Sequence, residues 1–298
     1  MINSKIELRT ALRNQIIEEV EKPALSMSEL RGMIYDLYKA REYKGQIINK
    51  LSLSEPSLRV MGEVIESMEE SGVISQYYEF PIFFVNSNKK PTAQQFICTI
   101  NNLCYIGFIS AMEWHGITDR IPNVIYTKSC SRKDYKSKQL DLVEKKYNDV
   151  ESLNYLIQPY VSNIPGYDRK EFIVYESKNY NPVKELYGSG GVRVSSIGET
   201  FLDMLKNPDY CGGFDHVLDV YLEYSEEHLP VIVKYIEKNG SKIDKARAGY
   251  ILEEECGLSH RTIEKWKLDV QRGGSRKLVA TNEYNSIYSD TWCISINK

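Results

Sequence analysis

The sequence predicts an α+β protein of two domains, a helical domain with a short hairpin over residues 1–90 and a mixed α/β domain over 91–298. Three observations predict it. A length of 298 residues suits two domains at roughly 100–200 residues each. Hydrophobic residues make up 42% and charged residues 27%, a balance that fills a core without disulfide staples. Helical apolar spacing dominates the first part, whereas short β-branched and aromatic runs alternate with helices in the second.

The first helix is marked by Ile6, Leu8, Leu12, Ile16, Ile17 and Val20, and Pro23 stops it because proline lacks the backbone donor. Ser26 or Ser28 can cap a second helix, whose stripe is Leu30, Met33, Ile34, Leu37 and Tyr38. A third helix is expected from about Ser54, with Pro56 in its first turn, Leu58, Met61, Ile65 and Met68 on one face and Ser71-Gly72 at its end. Extended pieces follow at 73–78 and 82–85, with Pro81 between them. Asn86 through Pro91 is polar and turn-rich, a domain boundary or the tip of a wing.

After residue 96 an apolar run reaches Trp114, helical in its later part, and closes at His115-Gly116. Residues 124–129, 172–177 and 192–196 have strand composition, with a charged stretch at 131–150 after the first of them. Ser196-x-x-Glu199 fits a capping box ahead of a helix that Pro208 ends. Further helices are expected from Phe214 to Leu222, at 229–238 and at 244–255.

Three helices followed by a hairpin-like pair fit a winged helix-turn-helix, in which one helix enters the DNA major groove. On that reading the N-terminal end of the third helix (Ser54, Ser57, Arg59) faces bases, while Arg31, Lys39, Arg41, Lys44, Lys89 and Lys90 hold phosphates. The alternative for each cation is an ordinary solvated face. The third helix also carries Glu63, Glu66, Glu69 and Glu70, which repel phosphate, and the net charge is −3, so nothing global favours nucleic acid. A winged helix can serve equally as a protein-docking module.

The second part carries five ordered motifs. Tyr105 through Thr118 (Y-I-G-F-I-S-A-M-E-W-H-G-I-T), Val192 through Leu205 (V-R-V-S-S-I-G-E-T-F-L-D-M-L), Pro208 through Val217, Ala248 through Glu253 and Tyr284 through Asn297 follow one another. Together they resemble the AbiEi family of antitoxins of type IV toxin–antitoxin systems, over roughly residues 90–298. The resemblance implies an N-terminal winged helix that represses its own promoter at inverted repeats in double-stranded DNA. It also implies a C-terminal domain that counters an AbiEii-like nucleotidyltransferase toxin; no cofactor is expected. This chain departs from the family in a longer and more acidic N-terminal part.

Enzyme signatures are missing: no H-E-x-x-H and no G-x-S-x-G occurs, and Gly188–Gly191 lacks the lysine and hydroxyl residue of a P-loop. His115 beside Asp119 could be a general base, but histidine in a last turn followed by glycine is the ordinary end of a helix. Six dispersed cysteines without a C-x-x-C pair read as reduced, buried thiols rather than metal ligands. Two stretches are locally basic. Residues 126–146 hold seven Lys/Arg against three Asp/Glu, a balance of +4. Residues 257–277 hold six, Arg261, Lys265, Lys267, Arg272, Arg276 and Lys277, against two, also +4. They read either as solvated loops or, for the second, as a patch facing nucleic acid or toxin, with Leu258–Ile263 as a linker. No leader and no apolar run of about 18 residues is visible, so a cytoplasmic protein is expected.

Overall fold

The protein, described by a computed structural model over residues 4–147, 153–178, 180–186, 188–270 and 276–298, is a mixture of α-helices and small sheets. It divides into two compact units, each made of two stretches of chain. Unit 1 is Met1–Tyr105 with Lys128–Arg193, and unit 2 is Ile106–Thr127 with Val194–Lys298.

Unit 1 begins with β1 (Lys5–Ile6), α1 (Leu8–Glu19), β2 (Ala24–Ser26) and α2 (Met27–Ala40). Ser26, rather than Ser28, caps α2: its hydroxyl accepts from the Glu29 amide while the Glu29 carboxylate accepts from the Ser26 amide, a full capping box. The short strands β3 (Glu42–Tyr43) and β4 (Gln46–Ile48) follow, then α3 (Leu58–Glu70), β5 (Ile74–Gln76) and β6 (Ile82–Val85). α3 starts later than Ser54, because Ser57 is the residue whose hydroxyl accepts from the Val60 amide. Pro56 therefore precedes the cap.

Two sheets result. β2 runs antiparallel to β6 (Ala24 opposite Phe84), and β6 antiparallel to β5 (Ile74 opposite Val85), in the order β2-β6-β5. β1 runs parallel to β4, which pairs antiparallel with β3. The tip of the β5–β6 hairpin is Tyr77–Pro81, with Tyr78 in the left-handed region at φ +50°. Asn86–Pro91 follows the hairpin instead of forming its tip. It is tied down, since Asn88 Nδ2 donates to the Val20 and Lys22 carbonyls at 3.0 and 2.9 Å. Leu12, Ile16, Leu30, Ile34, Met61 and Phe83 fill the middle of the three helices, so most of the apolar stripes read in the sequence bury, whereas Ile17 and Leu58 from those stripes are exposed.

α4 (Ala93–Ile100) is capped by a second full box between Thr92 and Gln95. The boundaries between the units fall within β7 (Tyr105–Ile106) and β8 (Val124–Ser129), and α5 (Phe108–Trp114) lies between them in unit 2. α6 (Arg132–Tyr147), the stretch read as merely charged, and β9 (Glu171–Glu176) return to unit 1. Residues 192–196 form a single parallel bridge, Val194 to Ile106, in place of a strand.

Unit 2 continues with α7 (Ile197–Lys206), α8 (Phe214–Asn239), α9 (Lys242–Tyr250), a π-helical turn (Ile251–Glu255), α10 (Arg261–Asp269) and a closing hairpin of β10 (Tyr288–Ser289) and β11 (Ile294–Ser295). Ser196 caps α7 through the Glu199 amide. Two expectations change here. The separate helix at 229–238 is the second half of the 26-residue α8, which runs through Pro230. Buried Val217 and Tyr221 before the proline and Ile232, Val233 and Ile236 after it share one core. That packing outweighs the missing amide, since the proline ring itself stays at the surface. Likewise Leu258–Ile263 is no simple linker: His260 Nδ1 accepts from the Thr262 amide at 3.1 Å and caps α10, which buries Ile263 and Trp266.

Among the described residues no helix is long and apolar enough to cross a membrane. All six cysteines are free, and all but half-buried Cys256 are buried, in agreement with thiols that pack as small apolar groups.

Candidate nucleic-acid interface and the motif residues

The residues selected for DNA contact all lie in unit 1, but they differ sharply in how free they are. Arg31 is spent on structure. Its guanidinium donates to the Tyr155 carbonyl at 2.9 Å, and burial lowers its pKa. Arg41 ends α2 in the left-handed conformation and donates to the Leu53 carbonyl at 2.7 Å. Both hold unit 1 together and are poor choices for phosphate contacts.

Most of the remaining cations, and Lys50 beside them, sit in exposed ion pairs. Lys39 meets Glu55 at 3.2 Å, and Lys44 meets Glu18 and Glu19 at 2.7 and 3.2 Å. Lys50 meets Glu7, and Arg59, with a side chain 88% exposed, meets Glu63 at 2.8 Å. Pairs of this kind contribute about 0–1 kcal/mol, so a phosphate can displace the carboxylate at little cost. Lys89 and Lys90 are exposed and enter no salt bridge among the described residues. Ser54 is exposed, and the Ser57 hydroxyl is engaged as a helix cap.

The second basic patch, in unit 2, is only partly a patch. Lys267 is held by Glu253 and Glu264, and the Lys277 ammonium donates to the Asn282 carbonyl at 2.8 Å. Arg276 is half-buried, Arg261 and Lys265 are exposed, and Arg272 lies outside the described residues. Among the described residues of this stretch, Arg261 and Lys265 are the exposed cations.

The motif residues behave in the opposite way: they turn inward. His115 is the C-cap of α5, and Gly116 at φ +69° supplies the left-handed residue after it. Gly116 N–H to the Glu113 carbonyl and Ile117 N–H to the Met112 carbonyl complete a Schellman ending. The histidine is not a cation soothing a helix dipole. Burial lowers its pKa, and its Nε2–H donates to the Ser195 carbonyl at 2.8 Å, which joins the first motif to the second inside unit 2. That hydrogen bond fixes the tautomer with the proton on Nε2 and leaves Nδ1 as the acceptor of the ring.

Arg193, from the second motif, is the functional-looking residue that the sequence reading passed over. It is only 6% exposed. Its guanidinium donates to the Cys104 carbonyl at 2.8 Å, the Asn101 carbonyl at 3.1 Å and the Cys98 carbonyl, and lies 3.4 Å from Glu185. Two of these carbonyls terminate α4, so Arg193 satisfies a helix end that has no water to do so. Burial pushes the adjacent Cys98 thiol up, but the Cys104 hydrogen bond and the Arg193 charge outweigh it and bring it down to about 7.

Two glycines in the motifs mark close approaches. A Cβ on Gly198 would sit 2.6 Å from Tyr235 Cβ and 2.9 Å from the Val231 carbonyl, so glycine lets α7 lie against α8. A Cβ on Gly249 would fall 2.1 Å from the Trp292 ring, so the fourth motif makes room for the tryptophan of the fifth. Glu253 then accepts from Trp292 Nε1 at 3.1 Å, and Glu254 from the Ser289 hydroxyl at 2.7 Å, so carboxylates of the π-turn anchor the closing hairpin. Gly188–Gly191 is a turn closed by the Leu186 amide on the Val192 carbonyl at 2.9 Å, with no anion cradle. Among the described residues no cluster of His, Cys, Asp or Glu could hold a metal ion.

No protein-family model matches the sequence, and no curated protein matches it. Among solved structures, the RV2827C protein from Mycobacterium tuberculosis is similar over 96% of this chain and 90% of its own, at 8% identity and a TM-score of 0.45.

Proposed function

We propose that the protein is a DNA-binding repressor of its own promoter and an antitoxin that counters a nucleotidyltransferase-like toxin. The observation that carries the DNA-binding half is the order α1-β2-α2-α3-β5-β6 with sheet order β2-β6-β5. That is the arrangement expected of a winged helix, with α3 as the recognition helix and Tyr77–Pro81 as the wing. The antitoxin half is supported by the five ordered motifs alone. Lys89, Lys90 and Arg59 are the residues best placed to meet phosphate, because two carry no salt bridge among the described residues and the third is held only by a weak surface pair.

Fluorescence anisotropy on the protein's own upstream region tests the reading. Binding should weaken linearly on a log–log salt plot, and Lys89→Ala with Lys90→Ala should reduce the slope by about 2, one per lost phosphate contact. No binding to any upstream fragment at low salt would remove the repressor. A protein-docking module is the second reading. It is favoured by exposed Glu63, Glu66 and Glu70 on α3, and a basic partner that binds wild type and is lost on their neutralisation would select it.

A further inference from the structure

A series of aromatic rings in unit 1 runs from the core to the surface. Phe96 is fully buried, and Tyr167 stacks on it with 4.4 Å between ring centres. Tyr77 stands edge-on to Tyr167 at 5.7 Å and to its neighbour Tyr78 at 4.8 Å. Tyr78, at the tip of the β5–β6 hairpin, is 78% exposed. The tip is braced, since Phe80 N–H donates to the Tyr77 carbonyl at 3.1 Å and Gln76 Nε2 to the Phe80 carbonyl at 3.0 Å. Tyr78 takes a φ of +50°, a conformation that bulky side chains rarely adopt. A large ring held out in solvent on a braced, left-handed turn gains nothing from burial.

The same tip walls a cavity of about 500 Å³, lined by Phe80 and Pro81 of the hairpin, Met27 of α2, and Pro159, Tyr160 and Val161 from the segment before β9. Ser162 and Asn163 add a hydroxyl and an amide to the lining. Tyr160 is 38% exposed. It stands edge-on to Tyr135 of α6 at 5.1 Å, and the Arg132 guanidinium lies over its ring at 5.3 Å. Phe80 in turn lies 6.3 Å from Tyr77. Rings therefore line one path, from Tyr160 past Phe80 and Tyr78 to Tyr167.

Cations stand at both ends of it. Arg132 and Lys136 lie one turn apart on α6, with Lys133 between them, and all three are exposed. At the other end the Tyr167 hydroxyl donates to the Pro91 carbonyl at 3.0 Å, which sets that ring beside the run Lys89-Lys90-Pro91. Arg169 is exposed in the turn that Tyr167 and Lys170 close with two backbone hydrogen bonds at 3.0 Å. None of these six cations enters a salt bridge among the described residues. The exposed acids of the same segments are Glu79, on the cavity wall, with Asp134, Asp168 and Glu171. The Asp134 carboxylate is engaged by the Ser131 hydroxyl at 2.7 Å. Six exposed cations against four exposed acids make this surface positive in a chain whose net charge is −3.

Exposed rings offer faces for stacking. Base faces are open only where bases are unpaired, because a duplex hides them between neighbouring pairs. Cations at both ends suit backbone phosphates, whereas a proline-rich peptide would use the rings and leave the cations idle. We propose that this face of unit 1 binds single-stranded nucleic acid, with bases stacked on Tyr160 and Tyr78 and phosphates held by the cations at the two ends. The proposal goes beyond the repressor reading, since Arg132, Lys136 and Tyr160 have no part in the contacts proposed for the promoter duplex.

The test is fluorescence anisotropy on the whole chain. Its probes are labelled oligouridine, labelled oligothymidine and a duplex of unrelated sequence, each about 20 nucleotides long to cover a single-strand site of about 4–16. At least one single strand should bind about tenfold more tightly than the unrelated duplex. The tighter of the two tells RNA from DNA as the source. Tyr160→Ala should weaken the single strand about tenfold, and Tyr78→Asn, which suits the left-handed turn, by a similar factor. Arg132→Ala with Lys136→Ala should lower the log–log salt slope by about 1.4, at about 0.7 for each phosphate contact. Tyr160→Ala should leave binding to the upstream duplex unchanged, so failure of this site and failure of the repressor are told apart. Circular dichroism melts check that each variant folds, and if one tyrosine variant does not, the other carries the comparison. No binding of either single strand at low salt, preference for the unrelated duplex, or unchanged affinity in the folded tyrosine variants would each overturn the proposal.

Discussion

The residues chosen in unit 1 for DNA contact and the motif residues of the second half are opposites in physical terms. The first are long cations at the surface, mostly in pairs that a competing anion can break. The second are buried glycines, a buried arginine and a neutral histidine, each fixed by carbonyls or by a ring that leaves no space. What the contrast teaches is that a motif-like stretch of sequence need not mark a site of chemistry. Here the motif residues keep unit 2 and the end of α4 packed, whereas any surface for a partner is written in exposed side chains that form no pattern. The contrast can be broken by measurement, because the two sets differ in what their loss should cost.

The largest effect is expected at Arg193. Replacement by alanine takes the buried guanidinium away from the Cys98 and Cys104 carbonyls in a dry interior, while the Asn101 carbonyl keeps the Cys104 amide and Glu185 keeps Lys22. Breaking a buried charge network of this kind costs about 3–5 kcal/mol. Urea unfolding followed by circular dichroism should show the loss. An Arg193→Ala protein as stable as the wild type would mean that the motif arginine serves something other than packing.

His115 gives a smaller effect with a defined sign. Burial holds its folded pKa below the ordinary value of 6.5. The unfolded chain therefore takes up the proton first as the pH falls, so the stabilisation is complete above about 6.5 and declines below it. His216 is lowered in the same sense, by burial and by the Arg120 charge. Urea midpoints between about pH 7.5 and about pH 5 should fall for wild type and fall less for His115→Gln. Equal pH dependence in the two proteins would show that the histidine titrates as an exposed one.

These inward roles explain what could and could not be read from sequence. The helices of unit 1 were legible because Leu30, Ile34, Leu37 and Tyr38 repeat at helical spacing and Ser26 announces a cap. Pro81 likewise separated the two strands of the hairpin correctly. Tertiary contacts hid the rest. Pro230 is a local stop signal that the core on both sides of α8 overrides. The charged run that forms α6 shows no apolar stripe, because only Tyr135, Gln139 and Val143 are buried on it. Arg193 could have been suspected from one signal, a lone arginine between valines, since a cation in an apolar run needs acceptors. That residues 128–193 join the first 105 in one unit has no local signature at all. The state of each surface cation is equally invisible, since Glu55, Glu18 and Tyr155 reach their partners only through the fold.

Arg59 should show the smallest cost to folding and sharpens the comparison most. Its pair with Glu63 is a surface i,i+4 contact, so Arg59→Ala should lower stability by only about 0.3–0.5 kcal/mol, close to the resolution of urea unfolding. If α3 meets DNA, the same substitution should weaken binding to the upstream fragment by about 1–3 kcal/mol when the arginine reads a base, or by a uniform, salt-dependent amount when it meets phosphate. A residue with almost no part in folding and a large part in binding is the reverse of Arg193. Should Arg59→Ala leave DNA affinity unaltered, the start of α3 is not the reading surface, and the acidic face of that helix becomes the feature to explain.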